Sequence, residues 1–372
     1  MMLDLSAMPK LGFGTMRLPQ KGGAIDHEQV CAMVDACLAR GMNYFDTAYR
    51  YHDGESEPAV RRALVERHPR ERYYLATKLP VWMMEGPQDK DRIFEDQLRR
   101  CGVEYFDFYL LHSVEDANVQ KYEAYDCFAW GAQQKKAGRI RHFGFSFHGT
   151  PALLRRLLDD HPEVEFVQIQ LNYMDWDNPR VCSGELYEIL HERGVPIVVM
   201  EPVKGGNLAS LRPQEQAILE RARPGASAAS WALRFAAGLD GVMTVLSGMS
   251  TIGQVQENLD TFAALAPLAE DERAALAEVV RAVQALPVTG CTGCSYCCEG
   301  CPQNIPIPIA LRAMDEMRQY PGNASAPRLY SLRTKDRGVA ADCIACGQCE
   351  SVCPQHLPII ELLREASALL DA

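Results

Sequence analysis

Eight short apolar runs, each separated from the next by a stretch of helical periodicity, constrain this chain more than any other feature. They are Leu11 to Leu18, Asn43 to Thr47, Tyr73 to Leu79, Phe106 to His112, Ile140 to Ser146, Phe166 to Leu171, Pro196 to Met200 and Gly241 to Leu246. Stretches such as Phe-Tyr-Leu-Leu and Ile-Val-Val-Met are apolar on both faces, which suits parallel strands covered by helices. The clearest intervening helix is predicted to start at Asp26, with Asp26 and Gln29 as a capping box, and to place Val30, Met33, Val34, Cys37 and Leu38 on one face before Gly41. Eight such units predict an α/β fold, a closed (β/α)8 TIM barrel, with an open doubly wound sheet as the alternative. The open sheet would carry a Gly-x-Gly-x-x-Gly turn after its first strand. Here that position reads Gly12-Phe-Gly-Thr-Met-Arg, which favours the barrel.

The 372 residues hold one barrel-sized core and something smaller. The periodic pattern ends with a last helix at about Glu270 to Leu286, and Pro287-Val-Thr-Gly290 breaks it. The predicted domains are therefore 1–286, the barrel, and 287–372, a cysteine-rich tail. Apolar residues make up 47% and charged residues 23% of an ordinary globular composition. A net charge of -11 argues against a nucleic-acid surface, which needs a concentrated basic face. Met1 to Leu18 has no leader pattern and no run reaches membrane-spanning length, so a cytoplasmic location and no membrane contact are expected.

In a barrel of this kind, polar residues at the C-terminal ends of strands carry the most functional information. The second run ends in Asp46-Thr-Ala-Tyr-Arg-Tyr51, the third in Ala-Thr-Lys78 and the fourth in Leu-Leu-His112. An ammonium beside a phenol favours the phenolate and is expected to pull the tyrosine pKa toward neutrality, while a carboxylate keeps the lysine charged. A histidine opposite orients a carbonyl oxygen as negative charge develops on it.

These residues resemble the tetrad of the aldo-keto reductases: Asp46-Thr-Ala-x-x-Tyr51 matches that family's motif, and Lys78 and His112 fall where it places them. The resemblance spans about residues 8 to 265. It implies reversible, NAD(P)H-dependent reduction of an aldehyde or ketone, with Asp46, Tyr51, Lys78 and His112 catalytic and Trp82 and His148 as walls of the substrate pocket. It further implies that Gly14, Thr15 and Met16 meet the nicotinamide ribose alongside Asp46, and that Ser146 and Gln170 clamp the carboxamide. Met200 then stands where many members stack an aromatic ring, and Phe147 follows Ser146 where many have Asn. Pro202, Val203, Lys204, Gly205 and Gly206 resemble the pyrophosphate loop, and Ser247, Gly248, Ser250, Gln254, Glu257 and Asn258 the grip on the adenosine end. Gln254 fills a position commonly held by an arginine that pairs with the 2′-phosphate of NADP, so NADP and NAD both stay open.

The chain has fourteen cysteines, and nine lie from Cys291 onward. Cys291-x2-Cys294-x2-Cys297-x3-Cys301-Pro302 repeats its spacing as Cys343-x2-Cys346-x2-Cys349-x3-Cys353-Pro354. This resembles the bacterial ferredoxin pattern, in which three neighbouring thiolates wrap one 4Fe-4S cubane and the remote fourth ligates the other. The resemblance implies two 4Fe-4S clusters, with Cys301 completing the set of Cys343, Cys346 and Cys349, and Cys353 completing that of Cys291, Cys294 and Cys297. Tetrahedral zinc is the alternative, though it leaves the doubled third and fourth cysteines unexplained. Cys298 is left over, and Cys31, Cys37, Cys101, Cys127 and Cys182 are expected to pack in helices as small hydrophobes. Helices expected at Pro308 to Tyr320 and Ile359 to Leu370 make this a mainly α-helical dicluster ferredoxin-like domain.

Arg328, Arg333, Lys335 and Arg337 form a basic stretch in an acidic protein, either a solvated face or a docking patch. A nicotinamide gives up two electrons as hydride and each cubane takes one, and no flavin motif is visible. The clusters are therefore structural, or wire the barrel to a ferredoxin or flavoprotein, or support a radical step, with wiring favoured. The alternative function is a nicotinamide-binding redox sensor or electron-transfer subunit with little turnover, against which the intact tetrad argues.

Overall fold

A computed structural model describes residues 8–322 and 324–371; the outermost ends of both predicted domains therefore lie outside the described residues. Eight parallel strands close into a barrel: β1 Leu11–Gly14, β2 Tyr44–Asp46, β3 Tyr74–Leu79, β4 Phe106–Val114, β5 Ile140–Phe147, β6 Phe166–Gln170, β7 Ile197–Met200 and β8 Val242–Ser247. Each strand pairs with its neighbours in sequence and β8 returns to β1. The first apolar run turns earlier than expected, because Thr15–Arg17 winds into a 3-10 turn that carries Met16 and Arg17 off the barrel. Helix His27–Ala39 begins where predicted; the Asp26 carboxylate accepts from the Gln29 amide at 3.1 Å, one half of the expected box.

The barrel interior is filled by Tyr44, Ala76, Phe108, Leu110, Phe166, Val198, Met243 and Leu246. Strand residues alternate between faces, so parity fixes what stands above this layer. Asp46 follows Tyr44 on β2, Lys78 follows Ala76 on β3, and His112 follows Leu110 on β4, each two residues on. Register agrees: Gly14 pairs with Asp46, and Lys78 with Leu110. Gly12 has no room for a side chain here, since a Cβ would stand 2.8 Å from Leu246 and 3.1 Å from Tyr44.

The chain packs as two compact units. One runs to Pro202 and resumes over Ser230–Leu268; the other combines Val203–Ala229 with everything from Ala269 onward. In the second unit, helices Pro213–Ala222 and Glu270–Gln284 are linked by Arg221 to Glu278 and Arg223 to Glu272 ion pairs. The tail adds helices Ile307–Gln319, Ser325–Thr334 and Ile359–Leu370 around a core of Ile305, Ile307, Leu311, Met314, Tyr330, Ile359 and Leu363. Among the described residues, no helix is long and apolar enough to cross a membrane. Of the five cysteines expected in helices, Cys182 departs: it stands at the N-cap of Ser183–Glu192 with a left-handed φ of 53°.

Candidate active site and cysteine-lined cavities

The four polar strand-end residues meet at one mouth of the barrel. Lys78, 1% exposed, donates to Asp46 Oδ1 at 2.5 Å, to the Thr47 carbonyl at 2.9 Å and to the Tyr51 hydroxyl at 3.5 Å. The Tyr51 and His112 rings are 5.9 Å apart in an edge-on arrangement, and Trp82 leans over His112 at 4.9 Å. Tyr51 reaches this position from a turn in which His52 and Asp53 hold left-handed φ values. His52 anchors that turn by accepting from the Leu18 amide at 3.1 Å. His112 precedes a break in the β4 to β5 register at Ser113, whose φ is 57°, a bulge that aims the ring inward.

Electrostatics refine the expected proton chemistry. Burial outweighs the pull of the Lys78 ammonium, so the Tyr51 pKa is raised rather than lowered toward neutrality, with Asp46 and Glu201 pushing the same way. Tyr51 is therefore a protonated phenol at neutral pH, suited to give a proton. Burial alone would lower Lys78, yet Asp46 and Tyr51 overcome it and keep the ammonium charged. Burial, with Lys78 adding to it, takes His112 well below the ordinary histidine range, so its ring is neutral. Asp46 Oδ2 and His112 Nδ1 are buried without a hydrogen-bond partner. Unmatched buried atoms cost about 1–3 kcal/mol each, so this mouth fits a polar ligand such as a nicotinamide with its carbonyl partner.

The remaining expected contacts vary in how they are engaged. Gly14 ends β1, and Thr15 is buried, donating to the Asp46 carbonyl at 3.0 Å with Ser56 at 2.7 Å, while Met16 is exposed. Ser146 accepts from the Ser113 amide at 2.7 Å, and Gln170 donates to Asp175 at 3.0 Å. Met200 sits beside Gln170 in register, followed by Glu201 with a φ of 55° and buried Pro202. Ser247 accepts from Asn258 at 2.9 Å; Ser250 donates through its hydroxyl to the Arg17 carbonyl and through its amide to Gln254. Glu257 and His148 are exposed. In the second unit, Val203 precedes the 3-10 stretch Lys204–Ala209, where Gly205 and Gly206 take φ values of 66° and 102°; the Gly205 carbonyl accepts from Ser325 at 3.4 Å.

One network was not foreseen. Glu57, fully buried, accepts from Thr77 at 2.7 Å and Gln97 at 2.9 Å and pairs with Arg100 at 3.1 Å. Gln97 also donates to the Lys78 carbonyl at 3.0 Å and accepts from Tyr109 at 2.6 Å. It thereby clasps β3 behind the tetrad. The signal was Gln97 itself, a polar residue on the apolar stripe Ile93, Phe94, Leu98 and Cys101 of helix Asp89–Cys101.

The tail holds two small cavities, each of about 20 Å³. Cys343, Cys346, Cys349 and Cys301 line one; Cys291, Cys294, Cys297 and Cys353 line the other. Each run thus lends its fourth cysteine to the other run's cavity. Aliphatic residues make up much of the remaining lining, Ile305, Ile307, Ile360 and Leu363 in the first and Ile307, Leu311, Leu357 and Ile359 in the second. Four thiols around mostly aliphatic walls are the donor chemistry of an iron–sulfur cluster. Among the described residues, no three His, Cys, Asp or Glu side chains close on one point as ligands of a single ion. Burial pushes Cys297 up to about 12 and Cys349 up to about 11, so ligation must displace their protons. Cys298 packs half-buried against the tail core.

Barrel and site together define an NAD(P)-dependent oxidoreductase. The aldo/keto reductase family model matches residues 10–281 and a 4Fe-4S dicluster domain model matches residues 290–357. This chain belongs to the aldo/keto reductase family and carries a C-terminal dicluster domain. An aldo-keto reductase from Mycobacterium avium is 30% identical over 261 residues, covering 70% of this chain and 82% of that protein. L-galactose dehydrogenase from Arabidopsis thaliana is 24% identical over 286 residues, 72% of this chain and 88% of that one. Among solved structures, the holo form of an aldo-keto reductase from Bacillus halodurans superposes with a TM-score of 0.59 at 27% identity, covering 73% of this chain and 92% of that one. A Klebsiella pneumoniae aldo-keto reductase in complex with NADPH shares the fold at a TM-score of 0.60 and 23% identity, over 73% and 91% of the two chains.

Proposed function

We propose that this protein reduces the carbonyl of a small-molecule aldehyde or ketone, reversibly, and that its tail carries two 4Fe-4S clusters in contact with a ferredoxin or flavoprotein. The observation that carries the first part is the Lys78 ammonium held between Asp46 and Tyr51 with neutral His112 opposite. Bound NADPH or NADH supplies the hydride from C4 of its nicotinamide. Tyr51 donates the proton to the carbonyl oxygen as charge builds there. Lys78 sits beside the hydroxyl and stabilises the phenolate that proton loss leaves, and Asp46 keeps Lys78 charged and in place. His112 orients the oxygen from the other side, with Trp82 and His148 as the pocket walls.

Gly14, Thr15, Met16, Ser146, Gln170 and Met200 are read as nicotinamide contacts, Pro202 to Gly206 as the pyrophosphate loop, and Ser247 to Asn258 as the adenosine end. The Klebsiella relative's NADPH supports a nicotinamide cofactor. Gln254, standing where many members carry the phosphate-pairing arginine, leaves the 2′-phosphate undecided between NADP and NAD. The domain division 1–286 and 287–372 belongs to this reading, as does a reducing cytoplasmic setting, which cysteines free for metal ligation favour. Changing Tyr51 to Phe is expected to lower turnover on a carbonyl panel by about 10²–10⁴-fold with NADPH and NADH affinities, followed by fluorescence, nearly unchanged. Turnover retained in that variant removes Tyr51 from the role.

A further inference from the structure

Helix Ser325–Thr334 has two unlike faces. Ala326, Tyr330 and Thr334, four residues apart, are buried, and Ala326 and Tyr330 join the tail core. On the other side stand Arg328, Leu329, Leu332 and Arg333, all exposed, with Leu329 and Leu332 49% and 67% accessible. The chain continues into exposed Lys335 and Arg337. From 325 to 337 the only carboxylate is Asp336, against four cations, in a protein of net charge -11. Arg337 donates to Asn304 at 3.3 Å; Arg328, Arg333 and Lys335 form no ion pair with a described residue. Two neighbouring exposed leucines framed by unpaired cations have the make-up of a small interface: an apolar centre and a charged rim of one sign.

The inner side of this helix leads to one cavity. Tyr330 accepts from the Ala340 amide at 2.6 Å and shares its packing cluster with Ile305, Ile307 and Leu363, which line the cavity of Cys301, Cys343, Cys346 and Cys349. Just past the basic stretch, Gly338 lies so close to that wall that a Cβ would stand 2.1 Å from the Gln303 carbonyl and 3.1 Å from Ile305. Cys346 is exposed and Ile344, which also lines the cavity, is 58% accessible, so this cavity reaches the surface.

We infer that Arg328, Leu329, Leu332, Arg333, Lys335 and Arg337 form the docking surface for a small acidic one-electron carrier of the ferredoxin class, and that it serves the cluster held by Cys301, Cys343, Cys346 and Cys349. The inference rests on the reading above that these cysteines hold a redox cluster. Each encounter moves one electron: the carrier's cluster is oxidised by one and the cubane reduced by one, with no bond made or broken. Two encounters match one hydride in electron count. A basic patch on an acidic body excludes most of the protein's surface from such a carrier and leaves this face as the attractive one.

The test uses the full-length, cluster-loaded protein under anaerobic conditions and an acidic plant-type 2Fe-2S ferredoxin as probe. Calorimetric titration from about 50 to about 300 mM salt is expected to show affinity falling as salt rises. Arg328→Glu with Arg333→Glu together should weaken binding at least about tenfold and flatten that dependence, while Leu332→Ser weakens binding with the salt slope kept. NADPH binding should be the same in all three proteins. Unchanged ferredoxin affinity in the charge-reversed variant, or no binding to the unaltered protein, overturns the docking surface, as does equal affinity for phosphatidylserine vesicles. A cluster whose absorbance does not bleach with dithionite overturns instead the redox reading beneath it.

Discussion

Lys78 is the residue on which the barrel mouth turns, because it is buried, charged and shared. Removing its charge strands Asp46, whose own pKa is raised by burial and restrained by Lys78. The protonation states also fix a pH profile. Burial raises Tyr51 above the ordinary phenol value, and an acid catalyst is lost only as pH rises through its pKa. His112 is already neutral, its pKa taken well below 6.5 by burial with Lys78 adding to it. The kcat/KM for carbonyl reduction should therefore stay level between about pH 6 and 9 and fall only in alkali. A step near pH 6.5 that vanishes in His112→Gln would show a histidine that charges during the cycle, contrary to its surroundings. At this scale the placing of Asp46, Lys78 and His112 was legible, since each closes an apolar run, whereas Tyr51 lies five residues past its strand in a turn. The direction of the Tyr51 shift was not, because sequence names the neighbouring charge but not the depth of burial that outweighs it.

At the scale of elements, strand positions could be read because parallel strands covered on both sides are continuous apolar runs, and parity then stacks Asp46, Lys78 and His112 above the interior layer. The turns were less legible. The left-handed residues His52, Ser113 and Cys182 are of types that do not announce that conformation. The clasp behind β3 escaped for a related reason: its hydrogen bonds join Glu57 to Thr77 and Gln97, and Gln97 to Tyr109, across separations of 12 to 40 residues that no local pattern links. In fact Gln97 is buried and joins helix Asp89–Cys101 to the strand that carries Lys78. Gln97→Ala should cost roughly 2–4 kcal/mol in denaturant unfolding, since it strips partners from Glu57 and Tyr109 together. It should also lower kcat more than it raises KM, because the strand under Lys78 loses its brace. An equal loss of stability with kcat intact would make the clasp purely architectural.

For the whole molecule, spacing alone made the tail's chemistry legible, whereas the basic-apolar face of helix Ser325–Thr334 needed coordinates to show which of its residues turn outward. The cysteine cavities are walled by Ile305, Ile307, Leu311, Ile359 and Leu363, the same side chains that make the tail core. Stripping iron with a chelator under oxidising conditions should accordingly open residues from about 290 onward to protease and lower helical circular dichroism. The barrel should keep its cooperative unfolding transition. A tail that stays protected without iron would mean its aliphatic core suffices alone. The exchange of Cys301 and Cys353 between the two cavities has a consequence for biogenesis. If each cavity holds a cluster as proposed, neither half of the tail is expected to mature by itself, since each cavity draws its fourth cysteine from the other run. A partially metallated preparation should sort into fully loaded and iron-free chains, with few half-filled ones, and nicking the loop between the runs should not let one half keep its metal once the halves are separated.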